Sequence, residues 1–182
     1  MAIPLARFLK TLHAIPVDKV LMAGVKYDCL GRLDMNKRIP RLNETAEKLY
    51  SLRPESDTIK QLQKYAEMLV PIGEASEKCL VHGDLHLRNI LVNEKGSLTG
   101  IIDWGDTHIG DPAIDLSAVY SLLPLEARSS FFEEYGQISE EASELARFKA
   151  VYTLAVLLIY GIDLEDWKLT RIIDKALKHA MS

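Results

Sequence analysis

The polar residues between Val81 and Asp115 are too closely ordered to be surface decoration. The chain reads VHGDLHLRNILV from Val81, IIDWGD from Ile101 and GDPAIDLS from Gly110. Apolar runs flank these segments, so His82, Asp84, Asn89 and Asp103 fall at strand ends. A loop that leaves one strand at His82 and joins the next at Ile90 holds Asp84 and Asn89 over one place, and the following hairpin returns Asp103 to the same edge. Two carboxylates and an amide oxygen then converge. These are hard oxygen ligands of the kind Mg²⁺ takes while water and substrate phosphates complete its shell. Taken singly, each Asp is an ordinary turn or cap residue; the linked spacing is what argues for chemistry.

The strands that would position them are short. Residues 79–81, 90–92 and 98–102 have strand character, the last two runs separated by the turn-forming Asn93, Glu94, Lys95, Gly96 and Ser97. They predict a small β hairpin inside a helical chain. Ahead of it, Pro4 suits a first helical turn, and Leu5, Phe8, Leu9 and Leu12 recur at i, i+3, i+4 and i+7 in an amphipathic helix ending before Pro16. Over 17–41 the pattern weakens, with Gly24, Gly31 and Pro40 as punctuation, which predicts connections and at most one short helix. Asn43 is the expected N-cap of a helix to about Leu52. Ser56 or Asp57 caps the next, carrying Ile59, Leu62, Ala66, Leu69 and Val70 to a stop at Pro71. After Asp111 and Pro112, helical spacing returns through Leu116, Val119, Leu122 and Leu123, then in Phe131, Phe132 and Tyr135, in a long segment over 139–160, and in a last helix with Trp167, Ile172, Ile173 and Leu177. The expected fold is one mainly helical α+β domain over 1–182: helices over 1–78, the catalytic loop and hairpin over 79–111, helices over 112–182.

Bulk properties narrow the class. The chain has 182 residues, 48% of them hydrophobic, enough to bury a core without covalent staples. Its 22 Lys and Arg against 26 Asp and Glu give a net charge of -4, which argues against a nucleic-acid partner. Cys29 and Cys79 form no CxxC, so neither a disulfide framework nor a four-cysteine zinc site is available, and the expected location is cytoplasmic. The N-terminus interleaves Arg7, Lys10 and His13 with its apolar residues and does not read as a signal peptide. The most apolar stretch, 150–162, is interrupted by Thr153 and Gly161 and falls short of the ~20 residues of a membrane span. It is expected to be a buried helix, with no membrane partner.

An Asp five residues before an Asn, followed by a later Asp, resembles the catalytic loop and metal-binding segment of protein-kinase-like enzymes. With HGDLHLRN, IDWGD and GDPAIDLS in that order, the chain most resembles the aminoglycoside phosphotransferase and choline-kinase-like family. LARFLKTLHAIP over 5–16 is similar to that family's first helix after the hinge between lobes. The resemblance covers nearly the whole chain. It implies ATP-dependent transfer of a γ-phosphate to a hydroxyl of a small molecule, with Mg²⁺ and ATP as cofactors. Asp84 becomes the catalytic carboxylate that accepts or orients the hydroxyl proton, and Asn89 and Asp103 the Mg²⁺ ligands. His82 and Asp115 become braces of the loop, and Asp111 the cap of the helix starting at Pro112. Because this family often binds acceptors among its C-terminal helices, Asp163, Glu165 and Asp166 are candidates to meet a cationic acceptor; a solvated face is the alternative.

Part of the family pattern is missing. None of the ten glycines stand at i, i+2, so no GxGxxG loop covers ATP phosphates, and nothing ahead of His82 reads as a five-stranded sheet. Lys26 in AGVKYD is similar to the lysine strand of kinases but follows the first helix instead of preceding it. The expectation is therefore a C-terminal lobe with the nucleotide lobe absent, apolar area exposed along 5–12 and the hairpin edge, and a homodimer or a docked second lobe covering it. Two functions stay open: a small-molecule kinase whose other lobe comes from elsewhere, or an inactive pseudokinase or binding module. Aminoglycoside, choline, macrolide, sugar and other hydroxyl acceptors all occur in families that this chain resembles, and the motifs name a reaction class without choosing among them. A zinc site from His82, His86 and His108 is disfavoured, since Gly83 and the loop remove the helix that would set the first two on one face.

Overall fold

Helix α1 (Ala2–His13) turns Leu5, Ala6, Leu9 and Leu12 inward, as its spacing requires. Their cover is the chain itself: α1 packs on α6 (Leu125–Tyr135) and on strand β1 (Cys79–Val81). Leu5 and Leu9 are 0% exposed, which corrects the expectation of an open apolar face along 5–12. The computed structural model describes residues 1–73 and 77–182.

A short helix α2 (Val17–Met22) follows, and α3 runs Met35–Leu52, beginning eight residues before the expected cap at Asn43. Its N-cap is Asp34, whose side chain accepts from the Lys37 amide. Pro40 lies inside it. The physical reason is the stripe Met35, Ile39, Leu42, Ala46, Leu49, spaced alternately four and three, which packs on the core throughout; that burial outweighs the one backbone hydrogen bond a proline removes. Helix α4 (Asp57–Met68) packs back on α3 through Ile59, Leu62 and Ala66.

Among the described residues the β structure is two separate two-stranded sheets. Strands β2 (Ile90–Val92) and β3 (Leu98–Ile101) form the expected hairpin, antiparallel with Ile90 opposite Ile101. The second sheet pairs β1 antiparallel with β4 (His108–Gly110), setting Val81 opposite His108, a strand too short and too polar to announce itself in the sequence. The backbone of Lys26 and Asp28 lies along β4, with the Ile109 amide donating to the Lys26 carbonyl at 2.8 Å. The Lys26 side chain is exposed.

Helix α5 (Ala113–Leu122) is buried along eight consecutive residues, Ala113 to Tyr120. It lies against α7 (Glu140–Asp163) and α8 (Trp167–Met181), and α7 also touches α3. The segment 150–162 is thus the C-terminal half of a 24-residue helix, which follows the long helical segment expected over 139–160. By length and composition alone this helix could cross a membrane, and half of its most apolar window is buried inside the fold. At the hairpin edge Leu91, Val92, Ile102 and Trp104 stay between 41% and 49% exposed, so this part of the expected apolar surface is present.

Candidate functional site

The loop between β1 and β2 is built on one carboxylate. Asp115, in the first turn of α5 and fully buried, accepts the backbone N–H of His82 at 2.7 Å and that of Gly83 at 3.0 Å. His13 of α1 donates to the same carboxylate from Nε2 at 3.3 Å, and its Nδ1 meets the Tyr135 hydroxyl at 2.8 Å. Burial, then the neighbouring Cys79, Asp115 and Asp111, push the Tyr135 phenol well up, so it stays protonated and donates to Nδ1. That leaves the His13 proton on Nε2, facing Asp115. Four elements are pinned at one point.

Gly83 is the next requirement. Its φ is +89°, and a Cβ there would stand 2.2 Å from the Asp106 carbonyl oxygen and 2.8 Å from His108 Nδ1, so only glycine fits. His82 is buried, with Nε2 donating to the Ile102 carbonyl at 2.9 Å and Nδ1 accepting the Asp84 amide at 3.3 Å. Both ring nitrogens are engaged, and Trp104 covers the ring at 4.7 Å between centroids while Phe8 meets Trp104 edge-on. The His108 ring also turns its Nδ1 to a backbone oxygen, that of Asp106 at 2.7 Å. No group of three His, Cys, Asp or Glu among the described residues is arranged to hold a metal.

Asp84 emerges from this base with its side chain 36% exposed. Asn89 Nδ2 donates to the Asp84 carbonyl at 2.9 Å and reaches its carboxylate at 3.4 Å, and His86 Nε2 stands 3.4 Å from the same carboxylate. Burial pushes the Asp84 carboxyl up. The His86 hydrogen bond and the charges of His86, Lys149 and His82 outweigh it, so the group lies below the usual carboxylate range and is ionised at neutral pH. With the amide nitrogen turned to Asp84, Asn89 Oδ1 accepts no hydrogen bond among the described residues. The Ile102 amide donates to the Asn89 carbonyl at 3.0 Å, which places Asp103 beside Asn89 at the hairpin's end. Asp103 is exposed, in the left-handed region at φ 65° and ψ 64°, a conformation that favours glycine or a short polar residue and recurs at functional sites. Asn89 and Asp103 therefore offer one neutral and one anionic oxygen, a set that suits Mg²⁺ sharing its shell with phosphates and water.

The remaining candidates have structural employment. Asp111 is buried and accepts the Ala113 amide at 2.8 Å, with Lys78 Nζ 4.0 Å from its other oxygen. Asp166 caps α8 by accepting the Leu169 amide at 2.9 Å, Asp163 lies 3.7 Å from Lys48, and Glu165 sits in the tight turn between α7 and α8 at φ 53°. Sequence reasoning weighed His86 only as a zinc ligand and passed over Arg32 and Lys149; the fold sets His86 Nε2 3.4 Å from the Asp84 carboxylate and brings Lys149 near enough to help hold that carboxyl low. Arg32 binds Asp28 at 2.7 Å and Asp106 at 2.6 Å, tying the segment after α2 to the turn after β3. Lys149 sits 65 residues beyond Asp84, and only tertiary packing brings the two together.

The kinase-like lobe and the loop it supports define a class, and the chain belongs to it: the pattern of the phosphotransferase enzyme family matches residues 1–151. Among solved structures, the GDP complex of aminoglycoside 2'-phosphotransferase-IIIa is similar at 24% identity and TM-score 0.60, over 99% of this chain and 60% of that one. Macrolide 2'-phosphotransferase type I gives 18% identity and TM-score 0.55, over 97% of this chain and 58% of that one. The fold is thus the protein-kinase-like fold of these enzymes, and the chain spans about three fifths of their length. The uncharacterized protein YcbJ of Bacillus subtilis (strain 168) is 34% identical over 58 residues, 32% of this chain and 19% of that protein.

Proposed function

We propose that this chain supplies the catalytic and metal-binding lobe of an ATP-dependent phosphotransferase acting on a hydroxyl of a small molecule. The observation that carries the reading is the Asp84 carboxylate, held below the usual carboxylate range on a loop whose backbone is fixed by Asp115 and whose Asn89 amide nitrogen donates to the Asp84 carbonyl. Asp84 takes a hydroxyl as hydrogen-bond donor and aims its oxygen at the γ-phosphorus. As the new P–O bond forms and the bond to the β–γ bridging oxygen breaks, the hydroxyl proton passes to Asp84 and ADP leaves. Asn89 Oδ1 and the Asp103 carboxylate would hold Mg²⁺, which supplies charge neutralisation for the phosphates. Similar solved enzymes support a polar small-molecule acceptor and a nucleotide: one is a GDP and kanamycin complex, another a complex with ADP and spectinomycin. A nucleotide-binding lobe would dock over the exposed Ile102 and Trp104 beside the hairpin.

The test is transfer of labelled phosphate from Mg-ATP to a panel of amino sugars, choline, macrolides and hydroxy acids, with the nucleotide lobe supplied if the 182 residues alone are inactive. Asp84→Asn should lower kcat at least about a hundredfold, with a smaller change in KM. Transfer that survives this substitution contradicts the assignment. Binding of acceptor and nucleotide without any transfer makes the chain a pseudokinase or binding module instead.

A further inference from the structure

Buried polar atoms that the fold leaves without a partner collect in one place. Among the described residues four such side-chain atoms make no hydrogen bond: Arg53 Nη1, Asp174 Oδ1, Thr170 Oγ1 and His108 Nε2. His108 belongs to β4. The other three lie where the end of α3 and the start of α4 meet α8: Arg53 directly follows α3, and Thr170 and Asp174 stand one turn apart on α8. Native interiors leave few atoms of this kind, and each points to something that satisfies it. Two cavities share Arg53 and Asp174 in their walls. One, of about 570 Å³, is also lined by Thr58 and Lys178; the other, of about 270 Å³, is also lined by Thr170, Arg171 and Trp167. No residue between Val81 and Asp115 lines either of them.

The two central atoms are opposite in kind. Asp174 is held by one oxygen, Oδ2, which accepts from the hydroxyl of the buried Thr58 at 3.1 Å; Oδ1 still needs a donor. Arg53 Nη1 needs an acceptor. The two side chains nevertheless form no ion pair, so their nitrogens and oxygens stand more than 4.0 Å apart. A ligand that accepts from Arg53 and donates to Asp174 satisfies both at once, through charge-assisted bonds. The wider lining narrows its charge. Three cations, Arg53, Arg171 and Lys178, and three carboxylates, Asp174, Glu55 and Asp57, line the two cavities, a balance that favours a zwitterion over a simple anion or a simple cation. Leu52 and Pro54 add apolar surface to the larger cavity, and the Trp167 ring, 60% exposed, adds it to the smaller.

We propose that this place binds a free α-amino acid with an apolar side chain, its carboxylate accepting from Arg53 Nη1 and its ammonium donating to Asp174 Oδ1. In such a molecule the two groups are carried on one carbon, so a single ligand spans a gap that the two protein side chains leave open. The ligand's side chain packs on Trp167 or on Leu52 and Pro54, and Thr170, 4% exposed, offers its unpartnered hydroxyl beside Asp174. Bound there, the amino acid ties the connection between α3 and α4 to α8. The site stands apart from Asp84 and does not depend on the chain transferring phosphate.

Titration calorimetry on the 182-residue chain tests the assignment with L-leucine, L-phenylalanine and two fragments of leucine: 4-methylpentanoate, which lacks the amine, and 3-methylbutylamine, which lacks the carboxylate. Leucine or phenylalanine should bind at least about tenfold more tightly than either fragment. Arg53→Gln and Asp174→Asn should each weaken that binding about tenfold or more, and Arg53→Lys should recover part of it. A fragment that binds as well as the amino acid overturns the proposal, and so does binding unchanged in a folded Arg53→Gln or Asp174→Asn protein. The fragment comparison uses the parent chain, so it decides the matter even where a variant fails to fold. Absence of any amino-acid binding at about 10 mM also overturns it, because an ordered water would then suffice to bridge Arg53 and Asp174.

Discussion

Replacing Asp115 by alanine should unfold the base of the catalytic loop at a cost that can be worked out from its partners. The carboxylate accepts two buried backbone N–H groups, at 2.7 and 3.0 Å, and the His13 ring at 3.3 Å. Alanine leaves both amides buried with nothing to bond, at roughly 1–3 kcal/mol each. His13 also loses its acceptor and Tyr135 the ring orientation it donates to. The total falls at about 3–5 kcal/mol, most of it from the two stranded amides. Asparagine keeps one acceptor oxygen but turns an amide N–H toward one of the loop N–H groups, so it should cost about 1–3 kcal/mol. Urea denaturation followed by far-UV circular dichroism measures both, provided the slope with denaturant is unchanged. A loss under about 1 kcal/mol for Asp115→Ala would refute the claim that this carboxylate holds the loop.

Lys149→Met should be more stable than the parent chain at pH 7, by up to about 3 kcal/mol from a pKa drawn from 10.5 to about 8. Above pH 8 the folded parent has released a proton that its unfolded form still holds, so its stability rises with pH relative to the methionine variant and the gap closes toward pH 10.5; a gap constant from pH 7 to 10 contradicts the burial argument. Gly83→Ala should cost at least about 2–4 kcal/mol, since the added methyl meets the Asp106 carbonyl and the backbone holds φ at +89°; a melting temperature unchanged by this substitution shows that the loop has room to shift. The 182 residues alone should bind Mg-ATP weakly, because ATP affinity depends largely on a phosphate-covering glycine loop that they do not contain; micromolar affinity in calorimetry would show that the division of labour between lobes is misplaced.

The parts of the fold written in periodic apolar spacing were legible before any coordinates. Leu5, Leu9 and Leu12, or Ile59, Leu62 and Ala66, announce a helix and its buried face together. Strand β4 was not legible, because three residues with one large apolar side chain carry no period and their pairing with β1 is made across 26 intervening residues, 82 to 107. The start of α3 was misread at Pro40, where local propensity pointed to a break and the long-range stripe from Met35 to Leu49 decided otherwise. The proposed site residues Asp84, Asn89 and Asp103 stand out by linked spacing because one loop and one hairpin carry them. Lys149 does not, since it comes from the middle of a distant helix in a stretch whose composition reads as core. His86 stood in the motif, but its bond to Asp84 depends on a side-chain direction that spacing does not specify.

The convergence of Asp84, Asn89 and Asp103 on one metal-bound phosphate is the central claim, and Mn²⁺ reports on it directly. Added with ATP at saturating concentration to the isotopically labelled chain, Mn²⁺ should selectively broaden the amide resonances of Asp84, Asn89, Asp103 and Trp104, and the Asn89→Ala and Asp103→Asn variants should each lose most of that broadening while keeping their dispersed spectra. Broadening centred instead on the Asp163, Glu165 and Asp166 turn, or undiminished in both variants, would contradict the account.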